Sequence, residues 1–543
     1  MVSYLRTFPV PAPSGAEVRM PGCVPFPVLQ ERAIMFFPES EPEDRPSLSV
    51  RAFTGLALML LSTAWTWGLS LIEIAIVPRF LGPANYGKMS LAGSILSFAS
   101  LLVTFGGGMQ IIRTISADEE SANRLCSAIF WFRTLIGVPI ILAVYIVMRL
   151  TIRDPMVLSL IALVSFNTYL GWMGDIVMSF RNGFTRFATV ARAGMISKFV
   201  GVCTRIGLVL RYHSPLGAVF GDTLGSVSGL LSAIFAKGER IRLHRISLPD
   251  IKKVTKAGLP YFQYNLFIWI YGNPTTIYIL CALASYRENG WFSVAQRMIG
   301  IFYLLPGIVV GVMIPILTRL YEKNREEFTL QSRRVLNPAI VLSIPFALVM
   351  VLRSRAMLYA LGLPMTAGAR DSFSAVAILL VIPGINLPIR WLSSYYGMML
   401  IASNRIHKQA NAAIFAAIFN IGLTIPLVVW FHRHMHNGAI GAAIGAELTD
   451  LLMVIFYMVW IADIAPLKEN FIALFKGLIA GVVPAVTLLY LPMHNRWEFI
   501  LVCGVAIALF IPTAMLTGAI RKDEITPLLD IIKVRARMKT KQG

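Results

Sequence analysis

Ten ionisable residues lie inside stretches that are otherwise apolar, and any chemistry this chain performs should start from them. The cations are Arg133, Lys198, Arg205, Arg297 and Arg390; the carboxylates are Glu73, Asp175, Asp222, Glu447 and Asp450. A charge at the middle of a hydrocarbon layer costs about 2.5–3.5 kcal/mol on the insertion scale. Ten such residues facing lipid would be prohibitive, so they must face a wet cavity or one another. Position along each segment sorts them by depth. Glu73 and Arg205 sit near corresponding ends, which suits a structural ion pair. Arg133 and Asp175 match in the same way, and Arg297 and Glu447 lie at similar depth. Lys198 and Arg390 lie deepest, with Asp222 and Asp450 as potential partners.

Two readings of this set compete. In one, Arg390, Lys198, Arg133 and Arg297 line a cationic cavity that attracts an anion, a task guanidinium performs through paired donors. In the other they are internally paired struts, the reading preferred for Glu73, Arg205 and Asp175. Asp222, Glu447 and Asp450 are candidates to bind a coupling proton or Na+, with pairing to a nearby Arg as the alternative. Arg390 has a further feature: it follows Pro383, Gly384 and Pro388 in IPGINLPIRW, and proline inside a helix frees carbonyls and bends it. Other candidate bends are Gly106-Gly107-Gly108, Pro260, Pro274 and Pro306-Gly307. No metal site or cofactor is expected. The five cysteines are scattered without a CxxC pair, and the run HRHMH (His432, His434, His436) reads as a solvated loop. No Walker sequence is present, so ATP is not hydrolysed by this chain alone.

The elements that hold these residues are membrane helices. The hydrophobic fraction is 56% against 14% charged, with a mean hydropathy of +0.69, and so little charge cannot cover a soluble protein of 543 residues. The apolar blocks match the roughly 20 residues that span a bilayer as helix. Fourteen are expected: near 53–77, 86–110, 125–148, 155–179, 188–210, 214–236, 257–282, 289–317, 335–352, 373–402, 409–431, 438–462, 471–491 and 498–519. The fold class is therefore an all-α integral membrane protein.

A net charge of +21 invites a nucleic-acid reading, but the Lys and Arg cluster in alternate loops. About 28 lie on the side of the termini and about 10 on the other, so both termini are expected in the cytoplasm. The richest inner segments are 238–256, 318–334 and the tail from Arg521. Residues 1–52, Pro-rich with an acidic run at 38–44, read as a disordered cytoplasmic tail.

An internal repeat organises the rest. YGKMSLA at 86–92 matches NGWFSVA at 289–295, aligning Gly87, Ser90 and Ala92 with Gly290, Ser293 and Ala295. GAVFG at 217–221 matches GAAIG at 441–445, with small residues at the spacing that lets helix backbones approach. The implied organisation is a six-helix bundle at 53–236, a basic linker at 237–256, a second bundle at 257–462, two added helices at 463–519 and a basic tail at 520–543. A repeat of six helices enters the membrane with one orientation, so the symmetry axis should run along the membrane normal.

RFLGPANYGKMSLA, AGLPYF at 257–262, GWFSVAQR at 290–297 and LLPGIVVGVMIPILTRLY at 304–321 resemble one family, as do AIGAAIGAELTDLL at 439–452 and IRKDEI at 520–525. It is the polysaccharide-transporter branch (Wzx-type oligosaccharide flippases) of the multidrug/oligosaccharidyl-lipid/polysaccharide (MOP) exporter superfamily. The resemblance implies a V-shaped pair of bundles in the bacterial inner membrane. It implies alternating-access transfer of a polyprenyl-diphosphate-linked oligosaccharide, and as partners membrane lipids, a polysaccharide polymerase and a chain-length regulator. Two transporter alternatives remain. A cation-coupled multidrug exporter of the same superfamily would favour twelve helices and an acidic cavity. A peptidoglycan lipid flippase would favour a basic residue in the first helix, where this chain has Glu73. A polymerase or ligase needs a sizeable outer loop for an acceptor sugar, and no outer loop exceeds about twenty residues.

Overall fold

The computed structural model describes residues 48–521 apart from short stretches, of which 112–118, 245–250 and 367–371 are the longest. The tail 1–47, most of the linker 237–256, Gly106, Gly108, Pro260 and the tail from 522 lie outside the described residues. The packing lies within the unit Thr54–Gly543.

In chain order the helices are α1 (Leu48–Thr104), α2 (Glu119–Thr151), α3 (Pro155–Gly183), α4 (Phe187–Tyr212) and α5 (Pro215–Phe235). Then come α6 (Asn273–Leu283), α7 (Tyr286–Phe302), α8 (Leu304–Lys323), α9 (Arg325–Leu352), α10 (Ser354–Ala360) and α11 (Val376–Ala402). The last are α12 (Ile406–Met435), α13 (Gly438–Ile461), α14 (Leu467–Ala480), α15 (Val482–Tyr490) and α16 (Arg496–Leu516). Among the described residues, eleven helical spans are long and apolar enough to cross a membrane, and the first, Leu61–Thr104, holds two of the expected segments. The chain is a multi-pass, all-α membrane protein.

Local sequence sets the helix ends. Asp154 caps α3, its carboxylate accepting from the Met156 amide at 2.9 Å, with Pro155 at the first helical position. Ser285 caps α7 by accepting from the Glu288 amide at 3.2 Å, while its hydroxyl donates to the Glu288 carboxylate at 2.9 Å. Asn324 caps α9 by accepting from two amides at once.

Four expectations change in detail. The connection expected between the segments 53–77 and 86–110 contracts to a single break inside α1, at Gly82, whose φ of 71° suits glycine alone. The segment 318–334 is helical, with Asn324 alone between α8 and α9, because the Asn cap restarts a helix at once. The bend suggested at Pro306-Gly307 is a full break that divides the eighth segment at Tyr303, one turn before the proline, whose missing N–H leaves the Phe302 carbonyl without its partner. HRHMH ends α12 rather than forming a loop, and His432 Nδ1 lies 2.9 Å from Glu288 Oε1.

Two features of the packing matter for the site. The helix pairs α4/α5 and α12/α13 are in backbone contact through the small residues of the repeated motif. A Cβ on Gly221 would strike the backbone of Arg205, and one on Gly441 would strike the backbone of Leu427 and Val428. At the break in α1, the matched residues of the two copies touch each other. A Cβ on Gly87 would fall on the Tyr286 carbonyl, and one on Gly290 on the Pro83 carbonyl. Ser90 and Ser293 hydroxyls are 2.7 Å apart, and the Asn289 amide donates to the Gly87 carbonyl at 2.8 Å. Contact of matched positions with one another is the pattern found around a two-fold axis. The apolar surface is turned outward, as lipid requires: Leu150 and Leu516 are more than four-fifths exposed.

Candidate functional site

The ten charges resolve into three clusters. The first joins α1, α4, α5 and α7 at Glu73, which is buried. Its carboxylate receives Lys198 at 2.8 Å, together with the guanidinium groups of Arg205 and Arg297. Arg205, also buried, reaches Asp222 with its other arm and donates from Nε to the Ala218 carbonyl at 3.1 Å. Three cations face two carboxylates, a surplus of one positive charge. Lys198 and Arg205 are seven residues apart on α4, two turns, and so share one face. The expected Lys198–Asp222 pair is not formed, because Arg205 takes Asp222 and Lys198 takes Glu73.

The second cluster joins α11 and α13. Arg390 holds Glu447 at 3.2 Å and Asp450 at 2.9 Å. Asn386 donates to the other Glu447 oxygen at 2.7 Å, and the Arg390 guanidinium lies 4.6 Å from the centroid of Tyr303. One cation faces two carboxylates, a surplus of one negative charge. Glu447, placed at the depth of Arg297 by sequence, meets Arg390 instead.

The third cluster is Arg133, fully buried, which donates to the Trp172 carbonyl at 2.5 Å and pairs with Asp175 at 2.7 Å. Arg181, which the sequence survey passed over, is buried as well and donates to the Ala233 and Ala236 carbonyls, satisfying the exposed end of α5.

Outside the membrane helices, Asp154 sits 2.6 Å from Lys88. Burial acts to raise its carboxyl pKa, but the hydrogen bonds from Lys88 and Met156 outweigh that and hold it below the usual value. Arg405 and Asp463 form a two-pronged pair at 2.7 and 2.5 Å. There the hydrogen bond from Arg405 is the main cause that keeps the Asp463 carboxyl low.

Only the first cluster opens onto a sizeable polar cavity among those described. About 450 Å³ in volume, it is walled by both copies of the repeat: Ser90, Ser94 and Asn167 on one side, Asn273, Gln296 and Arg297 on the other. Arg205 and Asp222 complete its charged wall. Arg297 and Asp222 are partly exposed to this space, whereas Glu73 behind them is not. Lys198, Arg133 and Arg390 are not part of its lining. Asn167, Asn273 and Gln296 carry no charge and so do not stand out among the ionisable residues; an amide inside an apolar segment is the signal that marks them. A cavity with this lining can hold an anionic group at Arg297 and hydroxyl-rich matter against its amides and serines.

Residues 76–362 match the model of the family described as polysaccharide biosynthesis protein. No curated protein matches the chain. Among solved structures it is similar to the lipid II flippase MurJ in an inward closed conformation. That likeness has a TM-score of 0.68 at 16% identity and covers 87% of this chain and 100% of that one. It is also similar to an inward-facing multidrug resistance MATE family transporter of the MOP superfamily, with a TM-score of 0.55, 17% identity and coverage of 76% and 98%. At such identities the likeness is one of fold. The chain belongs to the polysaccharide biosynthesis protein family and has the fold of the MOP exporters.

Proposed function

We propose that this protein is a flippase that carries a polyprenyl-diphosphate-linked oligosaccharide from the cytoplasmic to the periplasmic leaflet of the bacterial inner membrane. The observation that carries the reading is the polar cavity between the two copies of the repeat, with Arg297 in its wall and a positive surplus behind it. An anionic headgroup is attracted by that surplus, and the serines and amides offer donors and acceptors to sugar hydroxyls. The two bundles, 53–236 and 257–462, alternate access to the cavity, with helices 463–519 as additions and both termini in the cytoplasm. In the state described, the touching Gly87 and Gly290 backbones close the periplasmic end.

Arg297 is the primary headgroup ligand, and Lys198 reaches it electrostatically through the shared Glu73. Arg390, with Glu447 and Asp450, forms the coupling site, where two carboxylates on one guanidinium leave room for a proton or Na+. No catalytic step is involved. A polymerase and a chain-length regulator act on the product side.

Deletion of the gene tests this directly. The expected result is loss of a surface glycan with build-up of its lipid-linked precursor inside, and Arg297→Ala at normal protein level should reproduce it. Unchanged glycan together with new drug sensitivity would overturn the reading in favour of a multidrug exporter.

A further inference from the structure

On the proposed topology, two arginines converge on the outer face of the protein, away from every charge cluster described so far. Arg79 lies on α1 just past the outer end of the first expected segment, and Arg496 opens α16, one of the helices outside the repeat. Both reach over Gly362, in the turn that closes α10. A Cβ at Gly362 would lie 2.8 Å from Arg496 Nη2 and 3.3 Å from Arg79 Nη1. The two nitrogens are therefore no farther apart than those distances laid end to end, a span that one phosphate group bridges with hydrogen bonds of about 2.8 Å to each. Gly362 has a φ of 71°, and its N–H donates to the Tyr359 carbonyl at 2.8 Å. That left-handed turn favours glycine, which keeps the space under the two guanidinium groups free of a side chain.

Both arginines are exposed, and among the described residues neither forms an ion pair or donates a hydrogen bond. Glu498, two residues beyond Arg496, is held by the side-chain amide of Asn495 at 2.8 Å. Trp497, next to Arg496, is 80% exposed, which suits the headgroup level of a bilayer, where indole rings collect. Two guanidinium groups this close repel each other, and an anion held between them offsets the repulsion. A phosphodiester headgroup carries one negative charge and matches one of the pair. A diphosphate linking a lipid to a sugar carries two and matches both.

We infer that Arg79 and Arg496 form a second phosphate site, on the exit side, which receives the lipid-linked diphosphate after it leaves Arg297. The inference rests on the flippase reading for its cargo and adds to it a point of release. Arg79 follows Glu73, the carboxylate that holds Arg297, by six residues on α1. That is about 9 Å of helix rise, so the second site stands outward of the first, where the head meets water. It also gives α16 a part in transport.

The test uses the full chain in nanodiscs, with undecaprenyl diphosphate, inorganic diphosphate and phosphatidylglycerol as probes. Arg297→Ala disables the cavity site, so the binding that remains reports the second one. That variant should still bind undecaprenyl diphosphate, and adding Arg79→Gln with Arg496→Gln should weaken the binding at least about tenfold. Both residues are exposed, so Gln at either place leaves the core as it is. In the original protein the same two changes should lower the bound lipid diphosphate from two per chain to one and reduce glycan export. Inorganic diphosphate should compete at the second site, and phosphatidylglycerol should not. Residual binding that ignores the Gln changes, or a single bound diphosphate in the original protein, would overturn the second site and keep the flippase. Equal competition by phosphatidylglycerol would make the pair an anchor for bulk lipid, which also overturns it. Binding of inorganic diphosphate with none of undecaprenyl diphosphate, in the original protein as in the variants, would overturn the flippase reading itself.

Discussion

Glu73 ties three cations from two helices to a third, and replacing it by Gln removes the charge while keeping the shape. Two opposite charges 4 Å apart are worth about 4 kcal/mol at an effective dielectric of 20. Not all of that is lost in the variant. Lys198 and Arg297 have side chains 26% and 43% exposed, so they recover hydration from the cavity. Arg205, at 5%, cannot, although it keeps Asp222 and the Ala218 carbonyl. The loss should therefore fall at the low end of the range for removing one partner of a buried pair, about 3 kcal/mol. Reversible unfolding of the purified protein in mixed micelles, titrated with dodecyl sulfate, measures it. A cycle through Glu73→Gln, Arg205→Gln and the double variant should return about 2 kcal/mol of coupling. A Glu73→Gln protein within about 0.5 kcal/mol of the original would refute the reasoning, because the three contacts would then carry no net energy.

Other predictions follow from the same contacts. With their hydroxyls 2.7 Å apart, Ser90 and Ser293 replaced together by Cys should form a disulfide on oxidation and stop export until it is reduced; export that continues after confirmed crosslinking would show that this contact does not open. Gly221→Ala drives a methyl into the Arg205 backbone and should cost about 1–3 kcal/mol, whereas Gly171→Ala meets nothing within 4 Å and should be tolerated; equal thermal midpoints for the two would sink the close-contact argument. Asp463→Asn tests the pair at the α13–α14 junction. The Asp463 carboxyl is held low in the folded state, so its contribution is present above the ordinary Asp pKa and fades as the pH falls through the lowered one. Being half exposed, the pair is worth less than about 1 kcal/mol. The variant should melt slightly earlier at neutral pH and like the original in strong acid, and a deficit that persists unchanged in acid contradicts the assignment.

The pairing of charges was partly legible in the sequence. Depth along each segment offers Arg133 with Asp175, Glu73 with Arg205 and, as one option, Arg390 with Asp450, and each of these pairs is in contact. Lys198 with Asp222 failed although the information was present. Helices α4 and α5 are antiparallel around a turn at 213–214, so residues equidistant from the turn face each other. Arg205 stands eight positions before 213 and Asp222 eight after 214. The same rule sets Lys198 level with Gly229, a glycine whose Cβ would meet Ser197, so no carboxylate is available there. Glu73 reaches all three cations because α1 and α7 close on α4 in space, and depth within a segment carries no information on which helices are neighbours. The break in the eighth segment was legible: Pro306 has no N–H to give the Phe302 carbonyl, so the helix parts one turn before it, at Tyr303, whose ring stacks under Arg390.

That break gives the two charge clusters a physical link. Arg297 lies in α7 and Tyr303 is the residue that ends it, so one helix touches Glu73 through its guanidinium and Arg390 through its terminal ring. The first cluster carries a positive surplus beside the polar cavity, the second a negative surplus away from it. An anionic head drawn to Arg297 competes with Glu73 for the guanidinium, and any shift of α7 that results moves Tyr303 against Arg390. On the proposed function, a cation taken up by Glu447 and Asp450 would weaken their hold on Arg390 and act on the same ring from the other side. Binding at either site can bias the other only through an element with two arrangements. The helix α7, which ends at Tyr303, is the element that both clusters grip.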